Sequence, residues 1–215
     1  DKYEGDAIIA FFGAPLDLAD HAARACQSAV SMKKMELELN RKFLSAGVAP
    51  SPLLTRVGLN TGDMVVGNMG TERKMDYTII GDAVNLAARL EGVNKQYGTW
   101  VCASEDTARA AGDGFLFRRL DRIRVVGKSQ PVRLFELVDE RSQLPEDDLR
   151  FYREFEEALD VFESRNWPEA AKFFKALLKS RPEDGPSGIY IKRCLEYLKK
   201  PPVANWDGVY NLTSK

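Results

Sequence analysis

The chain has a single histidine, His21, and its three cysteines, Cys26, Cys102 and Cys194, are far apart in the sequence. This scarcity argues against a zinc cluster and against a disulfide framework. The formal net charge is -1, so the chain lacks the basic surplus with which proteins usually bind nucleic acid. No apolar run approaches the roughly 20 residues of a membrane helix. We expect a cytoplasmic segment that binds no nucleic acid and makes no direct membrane contact.

The composition is that of a globular protein, with 29% charged and 44% hydrophobic residues among 215. This length allows one large domain with a small appendage. A polar, proline-containing stretch at residues 143–147 separates a mixed pattern from an entirely helical one. We therefore predict one domain over residues 1–140 and a helical tail over residues 146–215.

Helical and strand patterns mix without strict alternation in the first domain. An apolar run from Ala7 to Phe12 predicts a buried strand, and helical periodicity extends from Leu18 to about Ala46. Two strand-like runs, Thr55 to Leu59 and Met64 to Gly67, flank a turn-rich tetrapeptide and suggest a hairpin. Further strands are predicted at Trp100 to Ala103, Phe115 to Leu120 and Val132 to Val138. The pattern favours an α+β fold with a largely antiparallel sheet.

In the tail, successive segments have apolar residues at helical spacing. Ala170, Phe174 and Pro182 have the spacing of the second half of a tetratricopeptide repeat. Only one such unit is visible, whereas about three are needed for independent stability. We expect the tail to dock on the rest of the chain or on a second copy, and residues 205–210 to form an anchored terminal segment.

The stretch from Asp76 to Glu91 is the most informative. It predicts a strand end, a turn and a helix with Asp82 as its N-cap, running to about Tyr97. Asn85 and Arg89 are four residues apart and therefore share one face, roughly opposite the apolar one. Taken alone, such a pair is an ordinary solvated helix face.

In context this stretch resembles the signature helix of class III adenylyl and guanylyl cyclases. The run that begins at Lys2, KYEGDAIIAFFGAP, resembles the metal-binding strand of that family. The runs RVGLNTG and VVGNMG, from Arg56 and Val65, resemble its central hairpin. The resemblance extends from Asp1 to Val138 and implies a ferredoxin-like, mostly antiparallel cyclase sheet covered by helices, with a small all-α extension.

The resemblance also implies a reaction, the conversion of ATP to 3',5'-cyclic AMP and pyrophosphate by in-line attack of the ribose 3'-hydroxyl. Arg89 matches the residue that stabilises charge on the α-phosphate, and Asn85 the one that orients the ribose. Asp6 matches one of two aspartates that hold two Mg²⁺ or Mn²⁺ ions per site. The other aspartate is expected upstream of Asp1, and without it we expect the isolated chain to be inactive.

The purine preference follows from two further matches, Lys2 and Thr78. Lysine donates to N1 of adenine and a threonine hydroxyl can accept from its amine, whereas guanylyl cyclases usually carry glutamate at the Lys2 position. Threonine at position 78 resembles the bacterial-type branch. Val126 stands where many members carry a phosphate-binding lysine; Lys128 or Arg124 could contact the triphosphate instead, or either could be a solvated charge at a strand end.

On one extended strand, Lys2 and Asp6 would lie roughly 13 Å apart. The family's head-to-tail dimer would place them in different sites, so a second copy of the chain is the expected partner. Similar tails in bacterial enzymes are compatible with a membrane-anchored parent protein. Two alternatives stay open: a cyclase-like regulator without turnover, and a tail that forms the main functional surface on a scaffold domain.

Overall fold

The computed structural model describes residues 1–124, 131–203 and 205–211. The strands are β1 (Lys2–Glu4), β2 (Ala7–Ile9), β3 (Val57–Leu59), β4 (Val65–Thr71), β5 (Lys74–Ile80), β6 (Val101–Ser104), β7 (Phe115–Arg124), β8 (Val132–Glu140) and β9 (Tyr210–Asn211). The helices are α1 (His21–Ser45), α2 (Asp82–Tyr97), α3 (Glu105–Ala111), α4 (Glu146–Glu163), α5 (Trp167–Ser180) and α6 (Gly185–Lys199).

The strands form one five-stranded sheet, in the order β3-β6-β8-β7-β9, and two separate hairpins, β1-β2 and β4-β5. Four of the strand pairs are antiparallel, namely β1-β2, β4-β5, β6-β8 and β7-β8. The pairs β3-β6 and β7-β9 are parallel. The predicted α+β class with a mostly antiparallel sheet is therefore confirmed.

Helices cover both faces of the five-stranded sheet. Val101 packs with α1 residues such as Cys26, whereas its neighbour Cys102 packs with α2 residues such as Leu90. Since successive strand residues point to opposite faces, α1 and α2 lie on opposite sides of the sheet. This arrangement leaves the first turns of α2 at the edge strand β3.

The predicted hairpin between the runs Thr55 to Leu59 and Met64 to Gly67 is wrong. β3 pairs with β6, and β4 pairs with β5, with Thr71 opposite Lys74 across the turn. The turn signals at residues 60–63 mark a change of direction, but they carry no information about which strand each run pairs with.

The segment that contains Lys2 and Asp6 is a hairpin, so the two residues do not lie on one extended strand. Lys2 lies opposite Ile9, and Asp6 lies in the turn between β1 and β2. The second strand ends at Ile9, and Ile8 is largely exposed. The expected buried strand is therefore an exposed one, because β2 pairs only with β1 among the described residues.

The two long helices of the first 140 residues match their predictions closely. Helix α1 begins at His21 and ends at Ser45, and α2 ends at Tyr97, where Gly98 adopts the left-handed conformation that terminates helices. The N-cap of α2 is Gly81, so Asp82 lies in the first turn rather than at the cap. There its carboxylate still complements the helix dipole.

The three C-terminal helices enclose an aromatic core. Phe155, Phe174 and Tyr190 have ring centroids between 5.0 and 6.2 Å apart, and Phe162 lies 4.8 Å from Tyr190. Burial of such large apolar rings stabilises the three-helix unit. The tetratricopeptide-like character of this unit stays a prediction. The same holds for the domain boundaries, with a first domain over residues 1–140 and a tail over residues 146–215.

The C-terminal helices pack on strand β7 of the same chain. The Tyr190 hydroxyl donates to the Leu120 carbonyl at 2.6 Å. The buried guanidinium of Arg118 donates to Glu136 on the neighbouring strand and, at 2.6 Å, to Asp184 at the start of α6. The tail thus docks through hydrogen bonds that are largely removed from water. No helix within the described ranges is long and apolar enough to cross a membrane.

Candidate active site

Helix α2 packs directly against strand β3. A Cβ atom at Gly58 would lie 2.0 Å from the Ala87 carbonyl oxygen, so only glycine permits this approach of helix and strand. The Asn60 amide donates to the Ala83 carbonyl at 2.9 Å and fixes the first turn. The amide of the fully buried Asn94 donates to the Val57 carbonyl at 2.9 Å near the other end. These contacts hold the helix in one position along its length.

Asn85 and Arg89 lie on the outer surface of α2, and both are exposed. Leu86 and Leu90, each one position further along, are buried against the sheet. Among the described residues, none makes a side-chain hydrogen bond or ion pair with Asn85 or Arg89. The predicted common face is therefore present, and its amide and guanidinium are available to a ligand.

Lys2 and Thr78 come together at the carboxylate of Asp1. The Thr78 hydroxyl donates to Asp1 Oδ2 at 2.7 Å, and Lys2 Nζ lies 3.9 Å from the same oxygen. Lys2 is exposed, whereas Thr78 is buried in β5. The structure thus places the two predicted purine-contacting residues side by side in one chain.

Asp6 is exposed at the tip of the β1-β2 hairpin. Carboxylate oxygen is the hard donor that Mg²⁺ and Mn²⁺ prefer, so this residue fits the expected role chemically. Within the described ranges there is no group of three or more His, Cys, Asp or Glu side chains that could hold a metal ion. Among the described residues, Asp6 therefore stands as a single candidate ligand and not as part of a complete metal centre.

Lys128, predicted to contact the phosphates, and Val126 lie outside the described residues. The alternative cation, Arg124, lies in β7, and its Nη2 is 3.2 Å from Asp207 Oδ2. This ion pair connects β7 to the C-terminal segment, which fits a structural role at least as well as a phosphate contact.

Cys26 and His21 both belong to helix α1, and Cys26 is fully buried there. Burial raises the pKa of the Cys26 thiol to about 12, so it is an inert core residue. His21 is the first residue of α1 and lies close to Gly13.

Sequence reasoning missed two groups. Asp1 was not assigned a role, because its contact with Thr78 depends on the meeting of β1 and β5. Tyr97 was assigned only to the end of a helix, yet its hydroxyl donates to Asp121 and accepts from Arg193. Burial and the Asp121 carboxylate raise the pKa of Tyr97 well above its usual value, so this hydroxyl keeps its proton.

The mixed α+β architecture with a mostly antiparallel sheet is that of a nucleotide cyclase type of domain. Residues 2–138 match the family model described as adenylate and guanylate cyclase catalytic domain. This match covers more than half of the chain, which therefore belongs to that family.

Adenylate cyclases are among the curated relatives of the chain. The terminal-differentiation-specific adenylate cyclase of Dictyostelium discoideum is 34% identical over 204 residues, which is 93% of this chain and 9% of that protein. Adenylate cyclase 1 of Rhizobium meliloti is 35% identical over 137 residues, which is 64% of this chain and 20% of that protein. The chain thus spans only a small part of the length of these relatives. The first similarity extends beyond the family match into the C-terminal helices.

Two solved structures resemble the chain equally well. The adenylyl cyclase CyaB from P. aeruginosa is 35% identical with a TM-score of 0.59, over 67% of this chain and 74% of that one. The guanylyl cyclase Cya2 is 32% identical with a TM-score of 0.59, over 66% of this chain and 71% of that one. The fold therefore does not distinguish between the two purines.

Proposed function

We propose that residues 1–140 of this chain are the larger part of an adenylate cyclase catalytic domain that converts ATP to 3',5'-cyclic AMP and pyrophosphate. The family match over residues 2–138 supports cyclase chemistry. The choice of ATP over GTP is supported by the positions of Lys2 and Thr78, which both lie next to the Asp1 carboxylate.

The purine preference depends on hydrogen-bond polarity. Adenine presents an acceptor at N1 and donors on its 6-amino group, whereas guanine presents a donor at N1 and an acceptor at O6. An ammonium can only donate, and a hydroxyl can accept, so Lys2 and Thr78 are complementary to adenine. Guanine would leave the ammonium facing an N–H group, an unsatisfied and repulsive contact.

The side chains of α2 suit the reaction itself. In the in-line displacement the 3'-oxygen forms a bond to the α-phosphorus while the bond to the pyrophosphate oxygen breaks, and negative charge spreads over the phosphoryl oxygens. The planar guanidinium of Arg89 can donate to two of those oxygens at once. The Asn85 amide can both donate and accept, which suits a role in orienting the ribose.

Asp6 would be one ligand of the divalent ions, Mg²⁺ or Mn²⁺. When bound, such ions lower the pKa of the attacking hydroxyl and neutralise charge on the phosphates. Because Asp6 is the only predicted ligand among the described residues, we propose that turnover requires a second carboxylate, expected upstream of Asp1. Activity assays therefore use a polypeptide that includes the natural sequence preceding Asp1.

The site is proposed to lie between two copies of the chain. Asp6 is exposed at a hairpin tip, and Asn85 and Arg89 are exposed on α2. An exposed cation and an exposed amide on a rigidly held helix are well placed to complete the site of a partner subunit. In a two-fold head-to-tail dimer, each nucleotide would meet the Asp6 side of one copy and the Lys2, Thr78, Asn85 and Arg89 side of the other.

A second candidate is a regulator that binds nucleotide without turnover. It would apply if the position upstream of Asp1 that is expected to carry the second aspartate held a residue that cannot bind a metal ion. The two candidates share nucleotide binding and differ in product formation.

The test is product formation from ATP and from GTP in the presence of Mg²⁺ or Mn²⁺, with cyclic nucleotide and pyrophosphate measured together. We expect equimolar cyclic AMP and pyrophosphate from ATP, and kcat/KM for GTP lower by at least about tenfold. Binding of both nucleotides without product would support the regulator. Equal turnover of ATP and GTP would contradict the adenylate assignment.

A further inference from the structure

The carboxylate of Asp1 is almost fully enclosed, with 2% of its side chain exposed. It lies between the two residues that are proposed to contact the purine. Its Oδ2 atom accepts the Thr78 hydroxyl at 2.7 Å and is 3.9 Å from the Lys2 ammonium. A buried carboxylate needs such partners, because an unpaired charge removed from water is strongly unfavourable.

This contact fixes the direction of the Thr78 hydroxyl. An ionised carboxylate has no hydrogen to donate, so the hydrogen of the hydroxyl must point at Asp1. A hydroxyl has one hydrogen and two lone pairs, so the oxygen of Thr78 is left as an acceptor only. Without Asp1, the same hydroxyl could rotate and donate as readily as accept.

The space beside Thr78 is open. Thr78 is directly opposite Gly67 in the β4-β5 pair, and directly opposed residues point their side chains to the same face. Gly67 has no side chain, and a Cβ atom placed there would meet nothing within 4 Å. No side chain at position 67 therefore occupies the space beside Thr78.

We infer that Asp1 is a specificity-determining positioning residue that holds Thr78 as an acceptor next to the donor Lys2. The inference rests on the proposed function, in which Lys2 and Thr78 contact the purine. The resulting donor and acceptor pair matches N1 and the 6-amino group of adenine and opposes the N1–H and O6 of guanine. Asp1 itself does not touch the nucleotide.

The discriminating variant is Asp1→Asn, which keeps the shape and replaces one carboxylate oxygen by an NH₂ group. This amide can donate to Thr78, which frees the hydroxyl hydrogen to point at O6 of guanine. We expect the ratio of kcat/KM for ATP to that for GTP to fall by about tenfold or more. The conservative variant Asp1→Glu retains an acceptor-only group and should keep more of the preference.

The control is the same substitution in a Thr78→Val background. Valine has no hydroxyl hydrogen whose direction Asp1 could fix. In this background, Asp1→Asn should therefore cause no further change in the ratio of kcat/KM for ATP to that for GTP. A ratio that is unchanged in Asp1→Asn alone would overturn the inference. So would an equal change with and without the Thr78 hydroxyl, because Asp1 would then act by loosening β1.

The preference is also measured by displacement of N-methylanthraniloyl-ATP with ATP or GTP, which requires no turnover. If the unmodified protein binds nucleotide but forms no product, the proposed reaction fails, while displacement still decides the role of Asp1. If the unmodified protein and Asp1→Asn turn over ATP in preference to GTP by the same factor, the reaction stands and the inference fails.

Discussion

Arg193 of α6 and Asp121 of β7 form an ion pair at 2.6 Å, and the side chains are only 8% and 5% exposed. The Tyr97 hydroxyl, at the end of α2, donates to the same carboxylate and accepts from Arg193 Nη2 at 3.2 Å. Close by, a Cβ atom at Gly185 would lie 2.1 Å from the Tyr97 carbonyl oxygen. The C-terminal helices are thus joined to the far end of the helix that carries Asn85 and Arg89.

Arg193→Ala should destabilise the chain strongly. It would leave Asp121 buried without its counter-ion, and breaking such a pair costs about 3–5 kcal/mol. Urea unfolding should therefore show a lower midpoint with a similar slope. Arg24→Ala, which removes an exposed i,i+4 ion pair with Asp20, is the control and should leave the midpoint unchanged. Equal midpoints for the two variants would show that the Arg193 pair does not hold the tail.

Gly58→Ala should displace α2 and impair both stability and turnover. The added methyl would overlap the Ala87 carbonyl, and overpacking of this kind costs about 1–3 kcal/mol. Gly92→Ala, in helix α2 itself, is the matched control, because a Cβ atom there meets nothing within 4 Å. There, alanine should be neutral or stabilising by up to about 1 kcal/mol. Thermal unfolding and cyclase activity, measured together, distinguish the two glycines.

Arg89→Ala should lower kcat while leaving folding intact. Arg89 is exposed and has no side-chain partner among the described residues, so its loss should not move the unfolding midpoint. A donor to the transition-state oxyanion contributes about 10²–10³ in kcat. Lys95→Ala, another exposed cation on α2, is the control and should retain normal turnover. A normal kcat in Arg89→Ala would remove its assigned role.

The helices could be predicted because their signals are local. The apolar spacing of α1 and α2, with a glycine stop at Gly47 after α1, defines these helices within a few residues. The strand partners could not be predicted. β3 pairs in parallel with β6, although β4, β5 and α2 lie between them in the sequence. Nothing in the turn at residues 60–63 indicates such a distant partner.

The candidate site also has features that local sequence patterns predict and features that they do not. The exposed face of Asn85 and Arg89 follows from helical spacing alone, so the sequence predicted it. The proximity of Lys2 and Thr78 was implied by family resemblance, and the structure brings both to Asp1. The contact between Asp1 and Thr78 could not be predicted, because a carboxylate next to a lysine in sequence gives no sign of a threonine on a remote strand.

A final prediction concerns the shared site. If each site uses Asp6 of one copy and Arg89 of the other, Asp6→Ala and Arg89→Ala should each be nearly inactive alone and partly active when mixed. In the mixed dimer one site carries both substitutions and the other carries neither. With random pairing, half of the dimers are mixed and each has one intact site of two, so activity should recover to about a quarter of the unmodified level.

The control mixture combines Asp6→Ala with a chain that carries both substitutions. No pairing of these two chains creates an intact site, so activity should stay at the background level. Recovery in the first mixture and not in the second can arise only from residues contributed by different copies. If neither mixture recovers while each variant still dimerises, Asp6 and Arg89 act within one chain, and the exposed face of α2 has some other partner.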